Sequence, residues 1–240
     1  MTNLKVNVSD QGIQTIDLNR PEKHHALNVT MIHELVDAFA KAFDDDEIKC
    51  VILKSSGPVF CAGADLHDMH QRTDDLIDAL IALIRVLQQK NKPLYVPLTG
   101  SVYGGGSIIL SFADVIMASD RVEIVMPEIK SQLWPVFLMP LLKKHLPHGV
   151  LMPMAMHAEP LSAKRAYALG WFNGLDSQDH TVVETIEALA KKYCQLPIAS
   201  LKAFYACHQW MEDQPLSDET LTQLGFQLKS LVSIKALSTT

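Results

Sequence analysis

The chain has 240 residues, 48% hydrophobic and 20% charged, with a formal net charge of −6. That composition suits one sizeable core. The acidic balance carries no basic stripe, which excludes nucleic acid as the expected partner, and no apolar run reaches the ~20 residues of a membrane span.

Residues 4–8 and 12–18 alternate in polarity around Asp10-Gln-Gly12 and read as a hairpin. Asn28 is placed to cap a helix whose apolar positions are Ile32, Leu35, Val36, Phe39 and Phe43. Residues 50–54 form a short buried strand leading to Phe60-Cys-Ala-Gly-Ala-Asp-Leu66. A short helix over 65–71 and a longer one over 74–90 follow, with a polar, mobile loop at 71–75 between them. The strand 94–99 leads to Tyr103-Gly-Gly-Gly-Ser107, which opens another helix, and strands at 114–118 and 122–125 come next. Helical patterns then dominate, over 136–145, 162–169, 181–194, 198–211 and 217–235. This order predicts an α/β core over 1–177 and a helical region over 178–240, with the boundary near Ser177-Gln-Asp-His180. Pattern alone would also permit a doubly wound sheet.

Four cysteines, Cys50, Cys61, Cys194 and Cys207, lack Cys-x-x-Cys spacing. They read as reduced, mostly buried thiols in a cytoplasmic protein. Cys61 has no base beside it in sequence to make it a nucleophile. The opening Met-Thr-Asn-Leu-Lys-Val resembles neither a signal nor a transit peptide. His67 and His70 share a helical face and His24 adjoins His25, but neither pair has a local third ligand, so no metal is expected. The apolar stretch 150–156 suits core or interface better than a lipid site.

The two small-residue segments carry the chemistry. Each sets a bare turn between a strand and a helix, where one N–H from each can converge on a single oxygen. Such a pair stabilises a thioester enolate without metal or cofactor, and the second turn also presents a helix N-terminus. No Lys-Ser or Lys-Thr follows the glycines, so a phosphate loop is excluded. No Gly-x-Ser-x-Gly elbow supports a serine hydrolase.

Four segments in order resemble the crotonase superfamily, the enoyl-CoA hydratase/isomerase family. They are Leu18-Asn-Arg-Pro-Glu-Lys-His-His-Ala-Leu-Asn28, Phe60-Cys-Ala-Gly-Ala-Asp-Leu66, Gly104-Gly-Gly106 with Asp114, and Met126-Pro-Glu-Ile129. The resemblance implies a spiral of ββα repeats with C-terminal trimerising helices, giving a homotrimer or a dimer of trimers. It implies an acyl-CoA thioester substrate, with coenzyme A entering as part of that substrate and no separate cofactor. The N–H groups of Ala64 and Gly105 become the oxyanion donors. CoA contacts fall on Lys23 and on the backbone of Ala26, Ala62 and Leu66, with Asp65 beside them as a helix cap. Gly104, Ile108, Pro127, Trp134 and Phe137 border the acyl group. Asp114 reads as structural.

Hydratases of this family use two glutamates. The first lies three residues beyond the middle glycine, which here is Ile108; the second lies 23 residues beyond it, which is Glu128. Isoleucine cannot orient water, and one positioned acid/base is worth roughly 10²–10⁴-fold. A lone Glu128 beside an oxyanion hole still suffices to shuttle a proton, so enoyl-CoA isomerisation is the expected reaction. Hydration, decarboxylation, thioester hydrolysis and a catalytically silent acyl-CoA-binding paralogue are the alternatives. The hydratases' glycine-rich stretch after the second glutamate is Gln132-Leu-Trp-Pro-Val-Phe-Leu-Met139 here, and Val136, Phe137 and Leu138 are expected to add bulk to the acyl pocket. Trp134 and Phe137 either line that pocket or pack in the core. The family's asparagine is replaced by His25.

Overall fold

The structure, a computed structural model, describes residues 2–212, with side chains through Tyr205. It opens with the antiparallel hairpin of β1 (Leu4–Val8) and β2 (Ile13–Leu18). Helix α1 (Val29–Asp44) follows, and Asn28 Oδ1 accepts the Met31 N–H at 2.8 Å as its cap. Its buried stripe of Met31, Ile32, Leu35 and Phe39 has the helical spacing read from the sequence.

Three strand pairs then repeat one pattern. β3 (Cys50–Ser55) is followed by β4 (Val59–Cys61) and the helices α2 (Leu66–Gln71) and α3 (Thr73–Gln88). β5 (Leu94–Leu98) is followed by β6 (Ser101–Tyr103) and, through a 3-10 turn at Gly104–Gly106, by α4 (Ser107–Leu110). β7 (Val115–Ser119) is followed by β8 (Glu123–Val125), a 3-10 turn at Glu128–Ser131, α5 (Leu138–Leu142) and α6 (His148–His157). The first strand of each pair joins a six-stranded sheet, β1-β2-β3-β5-β7-β10, and the second joins a four-stranded sheet, β4-β6-β8-β9. The chain closes through β9 (Leu161–Ser162), α7 (Ala163–Ala168), β10 (Gly174–Asp176), α8 (Asp179–Cys194) and α9 (Ile198–Glu212). This is the ββα spiral, and two separate sheets rule out the doubly wound alternative.

The main core fills the space between α1, α3, α4 and both sheets, with Val51, Leu53, Phe60, Val96, Val102 and Ile124 among its strand residues. Helix α8 covers the other face of the large sheet, setting Ile186, Ala190 and Cys194 against Ile13, Cys50, Ile52 and Tyr95. Strands β3 and β5 are thus covered on both faces, which accounts for the unbroken apolar runs at 50–53 and 94–98.

Several expectations are corrected. Residues 71–75 are not a loop: α2 ends at Gln71 and α3 begins at Thr73, whose hydroxyl donates to the Met69 carbonyl at 2.7 Å. The helix expected over 136–145 shrinks to Leu138–Leu142. Helix α6 was not expected, because Pro153 lies inside it and its apolar residues surround the axis. Of the small sheet, the strand expected over 122–125 is present as β8, but β4, β6 and β9 were missed, since two or three residues show no period. The helix expected over 217–235 lies outside the described residues.

Asp114 is structural, as expected. It accepts from Lys90 Nζ at 2.5 Å, from the Leu94 N–H at 2.8 Å and from the Tyr205 hydroxyl at 2.8 Å, tying α9 to the entry of β5 and β7. Asp114→Ala should lower unfolding free energy by about 2–3 kcal/mol, because it removes several hydrogen bonds to one largely covered charge. Urea denaturation checks this, and an unchanged midpoint would show that the network is not holding α9.

Candidate active site

Three segments that follow β4, β6 and β8 meet beyond the ends of those strands. β4 pairs in parallel with β6, and β6 with β8, so all three strands point their C-terminal ends the same way. The first turn passes through Gly63, at φ +87°, where a Cβ would stand 2.8 Å from the Tyr103 carbonyl oxygen and 3.3 Å from Gly105 N. A Cβ on Gly105 would in turn lie 3.5 Å from Ala64 N. The two turns expected from the sequence therefore touch, backbone against backbone.

The hydrogen bonding frees both N–H groups. Ala64 sits in a parallel bridge to Leu27: the Leu27 N–H donates to Gly63 O at 2.7 Å and the Asp65 N–H donates to Leu27 O at 2.9 Å. The Ala64 N–H lies between those bonds and points away from Leu27. Gly105 is the second residue of its 3-10 turn, so its N–H has no acceptor within the turn. Neither N–H is taken up by a hydrogen bond among the described residues.

Glu128 opens the 3-10 turn after β8, directly after Pro127. Its Oε1 would be 2.5 Å from a Cβ on Gly104, which stands at φ +44°. Only glycine combines that conformation with that approach. Its Oε2 is buried without a hydrogen-bond partner among the described residues. Burial pushes this carboxyl above its usual value, against a smaller opposing effect of its own backbone N–H.

The other expected site residues divide. Lys23 is exposed in the 3-10 turn Pro21–Lys23. The Ala26 N–H donates to Lys23 O and its carbonyl accepts from Arg20, while the Ala62 N–H donates to His24 O. Leu66 is 66% exposed beside the first turn. Asp65 caps α2 by accepting from the N–H groups of His67 and Asp68, and pairs with Arg20 at 2.6 Å. Burial alone would raise its pKa, but Arg20 and those N–H groups outweigh it and hold the carboxylate low. Ile108 is 1% exposed and packs in the main core with Ile109 and Leu110. The segment after Glu128 does not fill a pocket as one block: Trp134 and Val136 are 49% and 61% exposed, Phe137 packs against the core and Leu138 lies within it.

Sequence reasoning missed the supports. His25 Nδ1 accepts the Arg20 N–H at 3.2 Å, so Nε2 carries the proton and donates to Ser56 O at 3.0 Å. The Cys61 thiol donates to the His25 carbonyl, and burial pushes it up to about 12, which makes it inert as a nucleophile. Asp68 accepts the first N–H of α1, from Val29, at 2.8 Å. Apart from the bond between Arg20 and His25, these contacts join residues 31–39 apart in the chain, and no local pattern announces them. Among the described residues, no group of three or more His, Cys, Asp or Glu side chains is placed to hold a metal ion, and no helix is long and apolar enough to cross a membrane.

The state of Glu128 makes a prediction about stability. Its folded pKa lies above the ordinary 4.5, so the folded chain holds this proton more tightly than the unfolded chain. The resulting stabilisation is complete below the unfolded pKa and is lost as pH rises through the folded one. Glu128→Gln mimics the protonated state at every pH. Its stability relative to the parent should therefore grow as pH rises above the ordinary carboxyl value of 4.5. Urea melts over a series of pH values check this, and a constant difference would mean that the carboxylate is solvated.

Residues 9–232 match the family described as enoyl-CoA hydratase/isomerase. A 1,2-epoxyphenylacetyl-CoA isomerase of Escherichia coli is 28% identical over 204 residues, covering 80% of this chain and 76% of that one. A 2,3-dehydroadipyl-CoA hydratase of the same organism is 26% identical over 205 residues, covering 84% and 80%. The fold superposes on an enoyl-CoA hydratase crystal structure from Mycobacterium smegmatis with a TM-score of 0.87 at 22% identity, over 95% of this chain and 90% of that one. Sequence, fold and the meeting of its two turns agree that this chain belongs to the enoyl-CoA hydratase/isomerase family of the crotonase superfamily.

Proposed function

We propose that the protein isomerises enoyl-CoA thioesters through an enolate, with the Ala64 and Gly105 N–H groups on the thioester oxygen and Glu128 as the single acid/base. One observation carries this reading: two free N–H groups on touching turns stand beside a buried carboxylate with an unpartnered oxygen. The carboxylate removes a proton from one carbon of a β,γ-enoyl thioester. Negative charge then moves onto the thioester oxygen, where each N–H donor is worth about 2.7–4 kcal/mol to the transition state. The protonated Glu128 returns its proton two carbons away. The raised pKa suits this shuttle, because a group that both takes and gives a proton works best near the working pH.

Hydration would need a second carboxylate to direct water. Ile108 occupies the position at which the resemblance puts it, and its hydrocarbon side chain is packed in the core. This favours isomerisation over hydration. The chemistry asks for no metal or redox group, since backbone and carboxylate carry the whole charge movement. Assembly as a homotrimer or a dimer of trimers is part of the same proposal, and native mass spectrometry tests it separately.

A panel of enoyl-CoAs incubated in heavy water tests the reaction. Deuterium should enter the acyl chain without addition of water. Glu128→Gln should fold and bind acyl-CoA yet lose exchange by a factor on the order of 10² or more. Hydrated product from the parent protein would replace isomerisation with hydration. Exchange that survives in Glu128→Gln would place the base elsewhere, with exposed His70 ahead of Asp68, whose carboxylate already caps α1.

A further inference from the structure

On the outer face of the large sheet, two cysteines from distant parts of the chain meet. Cys50 is the first residue of β3 and Cys194 the last of α8, and their Sγ atoms lie 3.5 Å apart. Both are free thiols, 0% and 5% exposed, within the apolar cluster of Ile13, Ile52, Ile186 and Ala190. Lys49 Nζ donates to the Cys194 carbonyl at 2.8 Å, which fixes the end of α8 over β3 and sets a cation beside the pair. A bonded pair needs its sulfurs at about 2.05 Å. Closing the bond therefore requires the two sulfurs to approach by about 1.5 Å.

We propose that Cys50 and Cys194 are a reversible oxidation site, closed to a disulfide by peroxide or by a small-molecule disulfide, which clasps the end of α8 to the start of β3. With peroxide, the Cys194 thiolate attacks one oxygen and the O–O bond breaks. Cys194 becomes a sulfenic acid, and the hydroxide released takes up the proton that the thiol gave up. The Cys50 sulfur then attacks the Cys194 sulfur, the S–O bond breaks, and water leaves with the Cys50 proton. The two sulfurs supply both electrons that reduce the peroxide, and the products are one disulfide and two waters.

The surroundings assign these roles. Cys194 is the more exposed of the two thiols, 5% against 0%, and Lys49 Nζ, bound to its own carbonyl, sets beside it a cation that favours the thiolate. Cys194 therefore attacks and Cys50 resolves. Cys61 makes the contrast, since its thiol donates to a backbone carbonyl. The pair stands at the start of β3, and the turn bearing Ala64 lies beyond its end. The proposal is thus independent of the acyl-CoA chemistry.

The test uses the full chain with Cys207→Ser, which leaves Cys50, Cys61 and Cys194 as its thiols. The protein is treated with hydrogen peroxide or oxidised glutathione, alkylated, and digested without reductant. Mass spectrometry should find one cross-linked pair of peptides containing Cys50 and Cys194, released by dithiothreitol. The oxidised protein should melt roughly 5 °C or more above the reduced one, because the bond closes a long loop. Cys50→Ala and Cys194→Ala should each abolish both effects. Should either variant fail to fold, the parent's peptide map decides alone. Recovery of both cysteines alkylated, or each carrying glutathione or a sulfinic acid with no cross-link, would overturn the proposal.

Discussion

Gly63 and Tyr103 approach so closely that a single methyl group on Gly63 would stand 2.8 Å from the Tyr103 carbonyl oxygen. On the other side of this contact, a Cβ on Gly106 would be 2.9 Å from that of Cys61. Everything proposed for the site depends on this backbone-to-backbone seam. The N–H groups of Ala64 and Gly105 reach a common neighbourhood because no side chain separates their turns. The seam follows from the small sheet, whose order β4-β6-β8 lines up the chain at 61–64, 104–106 and 128 beyond three parallel strand ends. The large sheet and its helices hold that small sheet in place.

Two carboxylates near the seam show how environment divides labour. Asp65 meets a guanidinium and two N–H groups and stays ionised, in the service of the fold. Glu128 has one oxygen packed against a glycine and the other without a partner, which favours its proton. Opposite pKa shifts separate the carboxyl fixed by architecture from the one proposed as the acid/base. The buried unpartnered oxygen costs stability, and relief of that cost by glutamine would be the thermodynamic signature of a site selected for reactivity.

The supports around the first turn are a stitched set. Arg20, His25, Asp65 and Asp68 link the 3-10 turn at 21–23, the start of α1, the end of β3 and the start of α2. His25 uses both ring nitrogens and its carbonyl in this set, with its backbone at φ +55°. The ring of His25 is thus built into the fold, whereas His24 is exposed and meets the seam through its backbone.

Much of this was legible in the chain itself. The helical stripe from Ile32 to Phe43, the cap at Asn28 and the hairpin at the chain's start are local, and local periodicity specifies them without reference to the rest of the fold. The glycines at 63 and 104–106 announced bare turns, whereas Glu128 was picked out only by the resemblance to the family. The tertiary structure decided the remainder. The strand at 122–125 was legible, but β4 and β6 carry too little pattern to be read, so the convergence of the turns existed only once β4, β6 and β8 had paired. Helix α6 was hidden by Pro153 and by apolar residues on every side of its axis, the half-exposed Met156 among them. The contacts Asp65–Arg20, Asp68–Val29, His25–Ser56 and Cys50–Cys194 join residues 31–144 apart. Contacts of that range are set by how whole elements pack, which no local sequence pattern encodes.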